Sequence, residues 1–407
     1  MTEPGGPRGS LLWSNRQLRI LVTARVVSFA GDQLTTVALT LLVHQRYGLG
    51  RAVSVLLVAQ VVPQLAGPLA GAIVDRADQR RVLRSCEAAR AAVVATIALT
   101  LPPLPVLATL VAANAVLVTT LRPAGRSAIP ALVGPAELGA ANATLATGAN
   151  LGLALGPVAG GALVVWIGVP GTLLVDVGTS LASAIGLRAL HPLPPETTPE
   201  IGPSRLSADV RVGLTYARHD RVTRLLAVVL FVGVALAGTV MVAGVFLVRD
   251  VLEGDPTSYG LFAGTWGLGM IAASLAIARS KRAPAPGTWL LIALAAQAAA
   301  LLAAGGAPVL ALAMLAAGIG GAGNGLQDIA TDTILQQRVP RPMLGRVVGL
   351  VYAASFAGEL VAYALAGPLV DQVGARMLLL AAGGGLVVLT LYTVAAWPRG
   401  QHDRPAP

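Results

Sequence analysis

Four ionisable side chains stand inside long apolar runs: Arg25, Asp32, Asp176 and Glu359. A charge at mid-depth of a bilayer is costly, so such residues mark ion or substrate paths unless packing explains them. Arg25 and Asp32 are seven apart, which puts them on one helix face about 10 Å apart along the axis. Gly31, Gln33, Thr35 and Thr36 surround Asp32 with a polar patch suited to water or a substrate. Glu359 follows Gly358 in an otherwise apolar stretch. A proton carrier needs a carboxyl without a fixed counter-charge, and Asp32 and Glu359 are the candidates. Arg25, Gln33 and Asn114 complete the candidate cavity. Two alternatives stay open: Arg25 as a cation snorkelling to the membrane surface, and Glu359 as a hydrogen-bonded packing residue. Asp176 lies nearer the outer surface.

The elements that hold these residues are helices in lipid. The chain has 407 residues, 55% hydrophobic and 12% charged, with a mean hydropathy of +0.74. A soluble chain carries about 25% charged residues. A helix crosses the hydrocarbon core with about 20 apolar residues. Twelve runs qualify, at approximately residues 18–43, 52–74, 82–101, 104–121, 140–166, 170–190, 222–248, 259–279, 287–304, 307–327, 347–370 and 375–397. None alternates with a period of two, which argues against a barrel. The expected class is an all-α membrane protein.

The net charge of +10 does not indicate nucleic acid, because the arginines follow the loops and no soluble basic face exists for them. Arg16, Arg19, Arg76, Arg80, Arg81, Arg84, Arg122 and Arg126 fall on one side, as do the cations between Arg188 and Arg224. Arg46, Arg51, Arg249 and Arg376 fall on the other. This bias places both termini in the cytoplasm with an even number of spans. The polar start is followed by no short apolar core with a cleavage site, so the first span is expected to be retained. The single Cys86 excludes an intrachain disulfide and a cysteine metal cluster. The four histidines are scattered, and the chain carries no phosphate-binding loop. No metal, cofactor or catalytic role is expected. Gly318, Gly320 and Gly323 satisfy a dinucleotide fingerprint, but no strand precedes them.

The composition changes at residues 191–221. A Pro-, Glu- and Thr-rich linker leads into Leu206, Val210, Leu214 and Ala217 at helical spacing, the pattern of a short amphipathic helix on the membrane surface or in solvent. It divides the chain into six-helix bundles at 1–190 and 222–398, with a tail at 399–407. Leu155 to Gly161 (L-G-P-V-A-G-G) and Leu365 to Asp371 (L-A-G-P-L-V-D) occupy the same ordinal place in each half. That echo suits two bundles related by an axis along the membrane normal.

Three motifs remain. Gly71 to Arg81 reads G-A-I-V-D-R-A-D-Q-R-R between the second and third spans. Gly152, Gly156, Pro157, Gly160 and Gly161 give the fifth span a small-residue stripe, read either as a functional motif or as close helix packing. The tenth span ends in Asn324, Asp328, Thr331 and Asp332, and the fourth ends in Arg122 and Arg126. Their opposite charges make an inner-gate pair one reading and solvated loop charges the other.

The Gly71–Arg81 loop resembles the signature loop of the major facilitator superfamily, matching at Gly71, Asp75, Arg76, Arg80 and Arg81. Asp78 stands where the family has a second glycine. The fifth-span stripe resembles the family's antiporter motif, with Ala143 in place of one glycine. R-V-V-S-F-A-G-D, ending at Asp32, is similar to the drug:proton antiporter branch that includes macrolide-efflux and siderophore-export proteins. R-P-A-G-R-S-A-I-P-A-L-V after the fourth span, with Ala141 and Asn142, is similar to it too. The resemblance implies twelve helices in two pseudo-symmetric bundles, a peripheral sixth helix that makes Asp176 structural, and alternating access. It implies proton-coupled efflux of an amphipathic or lipophilic small molecule across the bacterial cytoplasmic membrane by a monomer. Asp75 would act as a gating residue reaching the eleventh helix, and Arg122 or Arg126 would meet Asp328 or Asp332 as an inner gate. Uptake or export of a metabolite by the same fold is the alternative. A membrane enzyme or scaffold is a weaker one, since no cluster of His, Asp or Cys gathers at one face.

Overall fold

The computed structural model describes residues 15–67, 70, 74, 77–193, 214–280 and 285–397, with the backbone alone at Pro342. Gly71, Asp75 and Arg76 of the signature loop, linker residues 194–213 and the tail lie outside the described residues. Of the expected amphipathic segment, residues 214–219 are described and helical.

Every regular element among the described residues is helical. In the first half these are α1 (Arg16–Tyr47), α2 (Gly50–Val61, continued by the 3-10 turn Val62–Ala66), α3 (Gln79–Thr100), α4 (Leu104–Ser127) and α5 (Leu138–Gly186). In the second half are α6 (Arg221–Ala237), α7 (Thr239–Phe246, running into the π turn Leu247–Val251), α8 (Pro256–Arg279), α9 (Pro286–Gly306), α10 (Leu310–Arg338) and α11 (Arg341–Ala396). Three helix starts carry an aspartate cap. Asp78 accepts from Arg80 N and Arg81 N at the head of α3, Asp220 from Thr223 N at α6, and Asp255 from Ser258 N at α8. Asp78, the residue that displaces the family's second glycine, is therefore the N-cap of α3.

Two helical runs are broken at one residue each. In α5, Gly168 has φ 72° and ψ 175°; in α11, Gly374 has φ 80° and ψ 162°. A positive φ costs glycine little, so the chain turns there between two apolar segments. The two breaks fall at corresponding places in the halves, after the echoed Leu155–Gly161 and Leu365–Asp371 stretches. Eight helical segments among the described residues are long and apolar enough to cross a membrane, including residues 135–189 and 343–396 with their glycine breaks. Several helices outrun the apolar stretches expected from sequence. α1 begins at Arg16, and α10 continues through Asp328 and Asp332 to Arg338, because polar residues continue a helix beyond the lipid core.

The chain divides into two compact units, residues 1–39 with 62–199 and residues 40–61 with 200–407. In the first, α3 packs on α4 and α5. Its core includes Leu18, Leu21, Leu83, Cys86, Leu121 and Ile129. Gly148, Gly152, Gly156 and Gly160 bring α5 onto α1, where an added Cβ would meet Val26, Phe29, Gln33 and Leu34 respectively. This is the close backbone approach that small residues four apart permit. In the second unit, α9 packs on α10 and α11, and α6 and α2 pack on α11. Gly320 and Gly323, part of the discarded dinucleotide pattern, make room for Trp266 and for Ala293 with Gln297. Large apolar side chains also face outward, with Trp166 82% and Leu99 76% exposed. Such a surface suits lipid.

Candidate functional site: a buried ion network

The first unit encloses a chain of ion pairs. From α1, Arg25, Ser28 and Asp32 lie at i, i+3 and i+7, which aligns them on one face. From α3, Glu87 and Arg90 lie at i and i+3. Arg25 Nη1 meets Glu87 Oε1 at 3.0 Å, and Arg90 Nη1 meets Glu87 Oε2 at 3.2 Å. Arg90 Nη2 pairs with Asp32. Arg90 also donates from Nη1 to Ser28 Oγ at 2.7 Å and from Nε to Asn114 Oδ1 on α4 at 3.3 Å. The lower-numbered partner on α1 meets the lower-numbered one on α3, the order two parallel helices impose. Glu87 and Arg90 are fully buried and Arg25 is 8% exposed. Hydrogen bonds from Nε, Nη1 and Nη2 to partners on three helices let the Arg90 guanidinium be held this far from water.

Of the candidate cavity residues Arg25, Asp32, Asn114, Gln33 and Glu359, the first three lie around Glu87 and Arg90, two residues that the sequence did not single out. The available signal was two opposite charges at i, i+3 inside the third expected span. Arg25 does not snorkel; it is ion-paired to Glu87. Gln33 lies elsewhere on α1, against Gly156 of α5.

Asp176, read as structural, is fully buried. Its Oδ2 accepts from Thr35 Oγ1 at 2.6 Å and its Oδ1 from Thr179 Oγ1 at 3.1 Å. Ser183, two turns on, donates to Ala24 O at 3.1 Å. The segment after Gly168 therefore lies along α1.

In the second unit, Glu359 accepts from Tyr363 Oη at 2.9 Å, and Asp332 accepts from Tyr352 Oη at 2.9 Å. Asp328 and Asp332 are half-buried. Gln297 donates to Gln327 Oε1 at 2.8 Å within the helix packing. Asp371, from the echoed stretch of α11, caps α2: Gly50 N donates to its Oδ1 at 2.6 Å and Arg51 N to its Oδ2 at 3.3 Å. Gly367 N donates to Ser54 Oγ at 2.9 Å. At the head of α6, burial pushes the Asp220 carboxyl up, but hydrogen bonds from Thr223 and the Arg338 guanidinium outweigh it and hold the group below the usual range. Hydrogen bonds from Ser258 likewise lower Asp255.

Of the first unit's gate candidates, Arg122 is exposed and donates to Gln64 Oε1 at 3.3 Å, and Arg126 is exposed. Of the signature loop, Arg80 donates to Arg188 O at 2.6 Å. Arg81 lies 3.7 Å from Asp78 with its side chain largely in solvent. Among the described residues no three His, Cys, Asp or Glu side chains gather as metal ligands.

Comparison with known proteins agrees with this architecture. The family model of the Major Facilitator Superfamily matches residues 21–352. The chain is 27% identical over 399 residues to "Multidrug efflux pump Tap" of Mycolicibacterium fortuitum, covering 93% of this chain and 95% of that protein. It is 25% identical over 396 residues to "Uncharacterized MFS-type transporter YfiS" of Bacillus subtilis (strain 168), covering 94% of each. Among solved structures, the nucleoside transporter NupG superposes with a TM-score of 0.75 at 12% identity over 93% of this chain and 98% of that one. A bacterial homologue of the human lysosomal transporter Spinster superposes with a TM-score of 0.70 at 15% identity, over 98% of this chain and 100% of that one.

Proposed function

Because this chain belongs to the major facilitator superfamily, we propose that it is a multi-pass membrane transporter that exports amphipathic or lipophilic small molecules by alternating access, driven by inward proton movement. The observation that carries this reading is the buried network of Arg25, Glu87, Arg90 and Asp32. Such a network in lipid is too costly to be retained without a task. The multidrug efflux pumps among its relatives support export, as does the Gly152–Gly161 stripe laid along α1.

In this reading twelve spans form two bundles with both termini in the cytoplasm, working as a monomer in a bacterial cytoplasmic membrane. Mostly apolar helices leave few fixed polar groups for a sugar or peptide, which favours a greasy substrate. A proton entering down a 100 mV potential supplies about 2.3 kcal/mol per cycle. Arg122 or Arg126 meets Asp328 or Asp332 when the inner side closes. Asp75 controls the cycling.

The test uses inside-out vesicles from an efflux-deficient bacterial host. Ethidium should accumulate when the vesicle interior is made acidic, and a protonophore should abolish the accumulation. Accumulation that ignores the gradient overturns proton coupling; no accumulation of any lipophilic probe overturns export.

A further inference from the structure

Resting on the proton-coupled reading above, we propose that Asp176, rather than Asp32 or Glu359, is the carboxyl that carries the transported proton. The argument is one of charge and place. The cluster holds two cations, Arg25 and Arg90, and three acids, Asp32, Glu87 and Asp176. The ion pairs join the two arginines to Glu87 and Asp32 alone. Asp176 is the acid left over. It is fully buried, and among the described residues its hydrogen-bond partners are the hydroxyls of Thr35 and Thr179, with no cation.

Its position ties it to the network. A Cβ on Gly31 would overlap Asp176 Oδ1 and Thr179 Oγ1. The absent side chain lets the carboxyl lie against α1, one residue before Asp32. The charged groups acting on Asp176 are Asp32 from α1 and Arg90 from α3. One proton on Asp176 brings the five groups to neutrality, and its loss leaves one negative charge. The step is a single proton taken from water when the site opens outward and returned to water on the inner side. Asp32 has Arg90 held against it as its counter-charge. Asp32 is also the more accessible acid, with 15% of its side chain exposed. A cationic group on the substrate can therefore balance at Asp32 the same charge that the proton balances at Asp176.

The test reads the proton directly. In purified protein, infrared difference spectra between acid and alkaline pH should show a carboxylic C=O band in wild type. Asp32→Asn and Glu359→Gln should keep this band and Asp176→Asn should remove it. Thr35→Ala, which takes away a hydroxyl that favours the ionised carboxylate, should move the band's midpoint towards alkaline pH. This variant decides the matter even if Asp176→Asn fails to fold. A band that survives Asp176→Asn, or that is lost in Asp32→Asn, overturns the assignment; so does an unmoved midpoint in Thr35→Ala. A parallel arm follows ethidium accumulation in inside-out vesicles under an imposed proton gradient. If wild type ignores the gradient, the coupling reading falls and this assignment with it. If wild type follows it and Asp176→Asn does so equally, the assignment alone falls.

Discussion

Arg90 on α3 and Asp32 on α1 are ion-paired across a helix contact in which Arg90 has no exposure to solvent. The same guanidinium reaches Glu87, Ser28 and Asn114, so three helices of the first unit share one charge.

Replacing Arg90 should therefore cost more than replacing Asp32. Arg90→Gln leaves Asp32 and Glu87 short of a buried counter-charge, and breaking a buried pair in this way costs about 3–5 kcal/mol. Asp32→Asn leaves Arg90 still paired with Glu87. Thermal unfolding in detergent should show the larger drop for Arg90→Gln. Arg90→Lys should not restore the stability, since an ammonium cannot reproduce the planar fork. Equal losses for Arg90→Gln and Asp32→Asn would contradict the hub role.

The α1–α5 contact depends on absent side chains. In Gly156→Ala the new Cβ lies 2.5 Å from Gln33 Cβ, and in Gly152→Ala 2.7 Å from Phe29 Cδ1. Overpacking of this kind costs about 1–3 kcal/mol. Leucine at either site should abolish transport with the protein still in the membrane. Gly178→Ala, where nothing lies within 4 Å of the added Cβ, is the control that should behave as wild type.

Asp371 fastens the start of α2 to α11. Asp371→Ala removes the acceptor for Gly50 N and Arg51 N, and loss of such a cap costs about 1 kcal/mol. A cysteine placed at the buried Ser54 should react faster with a thiol reagent in that background than in wild type. Unchanged reactivity would show that the cap does not hold this end.

Asp220 gives a pH dependence whose sign is fixed. Its folded carboxyl lies below the unfolded value, so it stabilises fully above the unfolded value of about 3.9. That stability is lost as the pH falls from there through the lower folded value. Wild type should melt above Asp220→Ala at neutral pH, and the gap should shrink in acid. Part of the gap, the lost α6 cap, is about 1 kcal/mol; a gap that widens in acid would contradict the assignment.

The inner gate is tested by charge exchange. Arg122→Asp and Asp332→Arg should each impair efflux, and the double exchange should restore it. Failure of the double exchange, with both chains present in the membrane, removes this pair and leaves Arg126 and Asp328 for the same trial.

What the sequence determined by itself was the solvent and the kind of element. Apolar runs of span length and arginines gathered on alternate loops depend on spacing along the chain, which a linear reading contains. So does the alignment of Arg25 with Asp32, since helical periodicity alone puts them on one face. Pairing across helices depends on packing, and only the tertiary structure decided it. Glu87 and Arg90 passed as part of an ordinary span because their importance comes from meeting α1. Asp176 was set aside as peripheral because nothing local reveals that the turn at Gly168 lays it against Gly31. The glycines of α5 were legible as small residues; that they seat Phe29 and Gln33 of α1 follows from the contact itself. A buried charge is defined by its surroundings, and those are assembled from residues far apart in sequence.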